Sequence, residues 1–194
     1  MKNQKPKYHQ IIEAAVKVIA KNGYHGSQVS KIAKEANVAD GTIYLYFKNK
    51  EHILVSLFEV KMGEFIEQIA KTIEEGGSAS DQLYTLIKMH FQQLSSDYYL
   101  AIVTQLELRQ SNISLRLQIN QVLKPYLTVI DGIVKKGMEQ QQFREDLSVP
   151  LARQMIFGTL DEIVTNWVMK EQKYNLIEMA PEIHRMLVSA LASK

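Results

Sequence analysis

Thr42, Tyr44, Leu45 and Tyr46 stand almost side by side, followed at once by Lys48 and Lys50. Each of these residue types can meet a nucleic acid. Threonine and leucine methyls pack against the methyl of thymine, a tyrosine hydroxyl donates to phosphate, and lysine pairs with phosphate as a point charge. At roughly 100° per residue on a helix, Ile43 and Phe47 fall on one side. Gly41, Thr42 and Leu45 then face away from it, with Tyr44 and Tyr46 on the flanks. A helix that leaves leucine and two tyrosines in water, with a glycine near its start, is a poor surface helix. Its outward face makes sense where something covers it, and the glycine lets a backbone come close. A plain packing hairpin inside a helical protein is the competing account, and spacing alone leaves it open.

To present such a face, the chain needs a turn and a supporting helix before it. Val29, Ile32, Ala33 and Ala36 recur at i, i+3, i+4 and i+7, one apolar helical stripe. Ser27 stands just ahead of it, where a hydroxyl can cap the free N–H groups of the first turn. Asn37 follows, a residue that tolerates the left-handed conformation at a helix end, and Val38 re-enters the core. Helix, short turn and helix from Ser27 to Lys50 form a helix-turn-helix, whose second helix lies in the DNA major groove.

The run VADGTIYLYFKNKEHIL, following KIAKEA, closely resembles the DNA-binding domain of TetR-family repressors. That family has a small-residue turn, Gly-Thr-aliphatic-Tyr, a second aromatic, Phe and Lys-x-Lys, and the chain keeps every element at the same spacing. The resemblance implies that Thr42, Tyr44, Leu45 and Tyr46, with Gly41 beside them, contact operator DNA. It also implies contacts from Gln28 next to Ser27 on the preceding helix, and phosphate contacts from Lys48 and Lys50.

Composition agrees with a DNA-binding protein that is basic at one end. Of 194 residues, 46% are hydrophobic, enough for a substantial core, and net charge is only +2. Residues 1–50 carry nine Lys against Glu13, Glu35 and Asp40, a balance of +6; the remainder has 14 basic and 18 acidic residues, −4. A basic end on a near-neutral chain fits local attraction to a polyanion, although a solvated lysine-rich face is a common alternative. None of the nine is Arg, so the frequent Arg–guanine contact is missing from this half, and readout should weigh thymine methyls, backbone and DNA shape. The absence of Cys excludes a disulfide framework and thiolate chemistry. With no signal peptide or membrane-spanning run, the expectation is a cytoplasmic protein with no membrane partner.

The fold class expected is all-α: a three-helix DNA-binding domain over 1–50, then a helical ligand-binding and dimerisation domain over 51–194. Met1 to Lys7 reads as a loose basic arm, and Tyr8 to Asn22 as an amphipathic helix stopped by Gly23. One long helix runs from Lys48 to about Glu75, a natural lever between the halves, and ends at Gly76 and Gly77. Further helices are placed near 80–96, 98–109, 112–138, 150–171 and 175–192, with a kink at Pro125 and the third of them ended by Gly137 and the polar run Glu139 to Gln142. The last two are apolar on more than one face, which suits a four-helix interface in a homodimer. TetR-family resemblance implies the same pair of helices as the dimer contact, and two readers about 34 Å apart can read a palindrome.

Seven of eight Met, with Phe58, Phe65, Phe91, Phe157 and Trp167, lie beyond residue 50. They suit an adaptable apolar pocket, although ordinary core packing explains any one of them. All five Arg (Arg109, Arg116, Arg144, Arg153, Arg185) also lie there, and Arg suits forked recognition of phosphate. The segments LAIVTQLELRQSN, LARQMIFGT and DEIVTNWV are similar to one TetR subgroup, the fatty-acid-degradation repressors of Bacillus-type bacteria. That likeness implies no cofactor but an effector, long-chain acyl-CoA, which releases the protein from DNA. Arg109, Asn112, Arg116 and Arg153 are the candidates for its charged end, Phe91, Met155, Phe157 and Trp167 for its chain, with Gln154 and Asn166 as further polar candidates. A free fatty acid or hydrophobic drug is the alternative ligand, and a helical interaction protein the alternative function. Catalysis finds little support. Asp161 and Glu162 are adjacent and point apart on a helix, no Ser-His pairing or phosphate loop accompanies them, and five scattered His show no metal spacing.

Overall fold

The computed structural model describes residues 5–192, and every regular element among them is helical. The expected arm falls partly outside these residues; of its remainder, Pro6 and Lys7 belong to the first turn of α1 (Lys5–Gly26). Proline is tolerated there because a first-turn N–H has no helical acceptor to lose. The chain continues through α2 (Val29–Glu35), α3 (Asp40–Tyr44), α4 (Lys50–Glu74), α5 (Ala79–Ser96), α6 (Tyr98–Glu107), α7 (Ile113–Glu139), α8 (Val149–Met169) and α9 (Ala180–Leu191). A single 3-10 turn, Ile177–Met179, precedes α9.

Two compact units form. One runs to Gly63 and takes in Tyr99–Val122; the other holds Glu64–Tyr98 and the chain from Leu123 onward. In the first, α1 supplies Ile11, Ile12, Ala15, Val16 and Ile19 to a core completed by Ile32, Ala33, Ile43, Phe47, Ile53, Leu54, Leu57 and Phe58. The i, i+3, i+4 spacing puts these side chains on one face of each helix, so burial of that face stabilises helices too short to persist alone. In the second, α5 packs against both α8 and α9. Ser78 begins α5 with a capping box, its hydroxyl accepting the Asp81 N–H while the Asp81 carboxylate accepts the Ser78 N–H.

α7 runs unbroken through Pro125 and ends at Glu139, where the polar run begins, with Gly137 in its last turn. The glycine also makes room. A Cβ at this position would lie 2.0 Å from Phe143 Cδ2, so the buried Phe143 ring occupies the space that any other residue would fill.

Candidate nucleic-acid interface and effector site

The α2–α3 turn is built as its residues require. Asn37 takes a left-handed φ of 51°, the Val38 N–H returns to Ala33 O at 3.0 Å, and the Gln10 amide of α1 donates to Ala36 O at 2.7 Å. Ile43 and Phe47 are buried, and Tyr8 stacks on Phe47 with ring centroids 5.0 Å apart. That anchoring turns the opposite side outward. Leu45 is 81% exposed and Tyr44 59%; Gly41 and Lys48 are exposed, while Thr42 and Tyr46 are half-buried. A Cβ on Gly41 would meet no protein atom within 4 Å. The α-helix stops at Tyr44, shorter than the pattern to Phe47 implied, with Leu45 as its cap. The next residues still coil, since the Tyr46 and Phe47 N–H groups both return to Ile43 O.

Two neighbours of this face differ from expectation. Ser27 does not cap α2: Gln28 holds the cap position and makes no side-chain cap bond. Ser27 is only 1% exposed, and its hydroxyl is turned inward onto α1, 2.7 Å from Gly23 O and 3.2 Å from Val18 O. Its side chain is therefore removed from the expected DNA contacts, while Gln28 remains exposed beside it. Lys50 is not a free phosphate ligand either, because its ammonium donates to Tyr24 O at 3.0 Å and His25 O at 3.3 Å and lies over the Tyr24 ring. The carbonyls at the end of α1, where the helix dipole is negative, attract that cation. Lys48 keeps its side chain exposed; its backbone N–H meets His52 Nδ1, and Asn49 Oδ1 accepts the His52 N–H, a side-chain cap for α4.

The expected effector residues divide between the units. Arg109, Asn112 and Arg116 belong to the first, and all three are exposed. Asn112 Oδ1 accepts the Leu115 N–H and so caps α7. Arg116 donates to Gln110 O at 3.2 Å. In the second unit Phe91 is fully buried, Trp167 is buried with its N–H on Tyr174 O at 2.9 Å, and Phe157 lies edge-on to Tyr126. Arg153, expected at an effector phosphate, has its guanidinium paired with Asp131 at 2.7 Å. Gln154 and Met155 are exposed on the outer side of α8, where they line a shallow groove with Gly158, Thr159, Glu162 and Ile163. Helical rotation decides this, since Ala152, Ile156 and Leu160 take the inner side.

Sequence reasoning missed a buried polar pair among the aromatics. His90 Nδ1 lies 2.9 Å from the Tyr126 hydroxyl, and Phe65 and Phe91 rings contact the imidazole edge-on. His90 Nε2 is buried with no hydrogen-bond partner. Burial pulls the His90 pKa down from 6.5 to about 4 and raises that of Tyr126, so both are neutral at pH 7. No spacing signal in the sequence links residues 36 positions apart.

The chain matches two family descriptions. Residues 11–57 match bacterial regulatory proteins of the tetR family, and residues 58–190 match the C-terminal region of YsiA-like protein. It is 58% identical over 194 residues, all of both chains, to the fatty acid metabolism regulator protein of Bacillus subtilis (strain 168). Among solved structures it is similar to the fatty acid degradation regulator FadR from Bacillus halodurans, with 56% identity and a TM-score of 0.91. It is also similar to FadR from Bacillus subtilis in complex with stearoyl-CoA, with 59% identity and a TM-score of 0.92. Both comparisons cover 95% of this chain and 99% of the other.

Proposed function

We propose, for a chain that belongs to the TetR family of bacterial regulatory proteins, a transcriptional repressor of fatty-acid degradation that binds a palindromic operator as a homodimer and is released by long-chain acyl-CoA. The observation that carries the DNA reading is the exposure of Leu45 and Tyr44 on a scaffold that spends Ile43 and Phe47 to turn them outward. DNA contacts fall to Gln28, Gly41, Thr42, Tyr44, Leu45, Tyr46 and Lys48. The DNA-reading part ends near residue 50, and the effector and dimer functions lie in the remainder. Family members are regulators, not enzymes.

The acyl-CoA reading draws on the relative solved with stearoyl-CoA and on this chain's own residues. Arg109, Asn112 and Arg116 form an exposed polar segment suited to the phosphates. Phe91, Phe157 and Trp167 lie in the aromatic-rich second unit, suited to the acyl chain. Membership of the dimer interface is supported for α8 and α9 by their exposed apolar side chains, Leu151 at 65% and Met186 at 63%. A monomer gains nothing by leaving these in water, whereas an isologous contact buries both copies.

Fluorescence anisotropy on a duplex selected by the protein from a random pool tests the DNA reading. Affinity should fall steeply as salt rises; a flat salt dependence rejects it. Calorimetry with stearoyl-CoA and stearate tests the effector, and equal affinity for the two removes the phosphate–arginine contact.

A further inference from the structure

The Tyr24 backbone is held on its two sides by charged groups of opposite sign. Its N–H donates to Glu107 Oε1 of α6 at 2.7 Å, and its C=O accepts from the Lys50 ammonium of α4 at 3.0 Å. An anion on one peptide's N–H and a cation on the next peptide's carbonyl are the pairings that the two peptide dipoles favour. Gly23 makes it possible. With φ of 67° and ψ of 161° it breaks the helical run of α1, which takes the Tyr24 N–H out of the helical ladder and leaves it for the carboxylate. Glu107 is 8% exposed, a costly place for a carboxylate unless hydrogen bonds hold it.

The grip continues toward the exposed arginines. Glu107 Oε2 accepts the side-chain N–H of Gln110, itself buried, and the Gln110 carbonyl accepts Arg116. On the other side, Gly23 O accepts the Ser27 hydroxyl, one residue before Gln28 and α2. Arg116, Gln110, Glu107, Tyr24 and Lys50 thus form one hydrogen-bonded relay inside a single compact unit. It joins the segment assigned to the effector phosphates to the turn that sets α2.

We infer that Glu107 is the positioning residue through which effector binding reaches the DNA reader, a step that rests on the reading of this chain as an effector-released repressor. Phosphates drawing on Arg109 and Arg116 shift the end of α6 and pull Glu107 off the Tyr24 N–H. The α1–α2 turn then loses one of its two charged anchors, and Gln28 and α3 leave the geometry that matches the operator. Neither Glu107 nor Tyr24 touches effector or DNA in this scheme.

The test uses the full chain as wild type, Glu107→Ala and Glu107→Gln, with the selected operator duplex and stearoyl-CoA. Operator affinity is measured with and without saturating stearoyl-CoA, and stearoyl-CoA affinity separately without DNA. Glu107→Ala is expected to bind stearoyl-CoA within threefold of wild type, to bind operator already at the effector-bound level, and to respond less than threefold to stearoyl-CoA. Glu107→Gln, which keeps an acceptor oxygen, is expected to recover most of the response. A purely structural role lowers both operator affinities together and leaves their ratio at the wild-type value, and that result overturns the proposal. So does a loss of stearoyl-CoA affinity as large as the loss of response. An unresponsive wild type instead rejects the effector reading and the relay with it. Should the alanine variant not fold, amide exchange in wild type decides: Tyr24 N–H protection should fall when stearoyl-CoA binds, and unchanged protection overturns the relay.

Discussion

Truncating Leu45 to alanine is expected to weaken operator binding strongly and leave the free protein untouched. The side chain is 81% exposed, so the fold holds little of its burial energy, and stability should change by less than about 0.5 kcal/mol. Covering the leucine with DNA recovers what water withholds. Three carbons at about 0.8 kcal/mol each set an upper bound near 2 kcal/mol per half-site, and partial cover gives about 1–2. A palindrome meets two copies, so the loss doubles to about 2–4 kcal/mol, about 30- to 700-fold in affinity. Anisotropy on the selected duplex reads this directly, with the denaturation midpoint as the control. Salt adds a second axis. Leu45 neutralises no phosphate, so the slope of log affinity against log salt should not change, whereas Lys48→Ala should reduce it by about 0.9 per copy. Binding of Leu45→Ala within threefold of wild type, with fold and dimer intact, would refute the reasoning.

Gly41→Ala places its methyl in open space and should stabilise the helix slightly or be neutral, by up to about 1 kcal/mol; a fall in operator affinity alongside an unchanged or raised melting temperature then reports close approach of DNA. Gly137→Ala should do the reverse. The methyl would meet the Phe143 ring at 2.0 Å, and that ring is buried while the Phe143 and Arg144 N–H groups are tied to Gly137 O and Leu191 O. Overpacking of about 1–3 kcal/mol or more outweighs the alanine gain of about 1, so a denaturant midpoint at or above wild type contradicts it. His90 takes up a proton in the unfolded chain below pH 6.5 but in the fold only near pH 4. Its stability contribution is therefore intact above 6.5 and falls through that window, by about 2 kcal/mol at pH 5; His90→Phe should flatten this part of the profile, measured by denaturation at pH 5 and 7.5. Met186→Glu places a charge on an exposed apolar position of α9 and should shift sedimentation from dimer to monomer, while an unchanged dimer would move the interface elsewhere.

Local chemistry explains which parts of the architecture the chain announces. A helix repeats every 3.6 residues, so the stripe Val29, Ile32, Ala33, Ala36 marks α2, and glycine or asparagine at a positive φ marks an end, as at Asn37 and Gly76. The outward face of Thr42, Tyr44 and Leu45 follows from the same arithmetic once Ile43 and Phe47 are turned inward. Gly137 shows what such reasoning leaves out: it lies in the last turn of α7, and its lack of a side chain also makes room for a ring six residues further on.

Pairings between distant residues needed the folded chain. Glu107 and Tyr24 are 83 positions apart and Lys50 and Tyr24 are 26, and no periodicity connects them. Hydrogen bonding depends on where packing brings an atom to within about 3 Å, a distance far finer than a helical wheel resolves. Hence Ser27 turned from cap to interior, Lys50 from phosphate to carbonyl, and Arg153 to Asp131. Residue types and their period decided that this chain is helical and turns Tyr44 and Leu45 outward; tertiary packing alone decided which of its charged groups remain exposed and which hold that face in position.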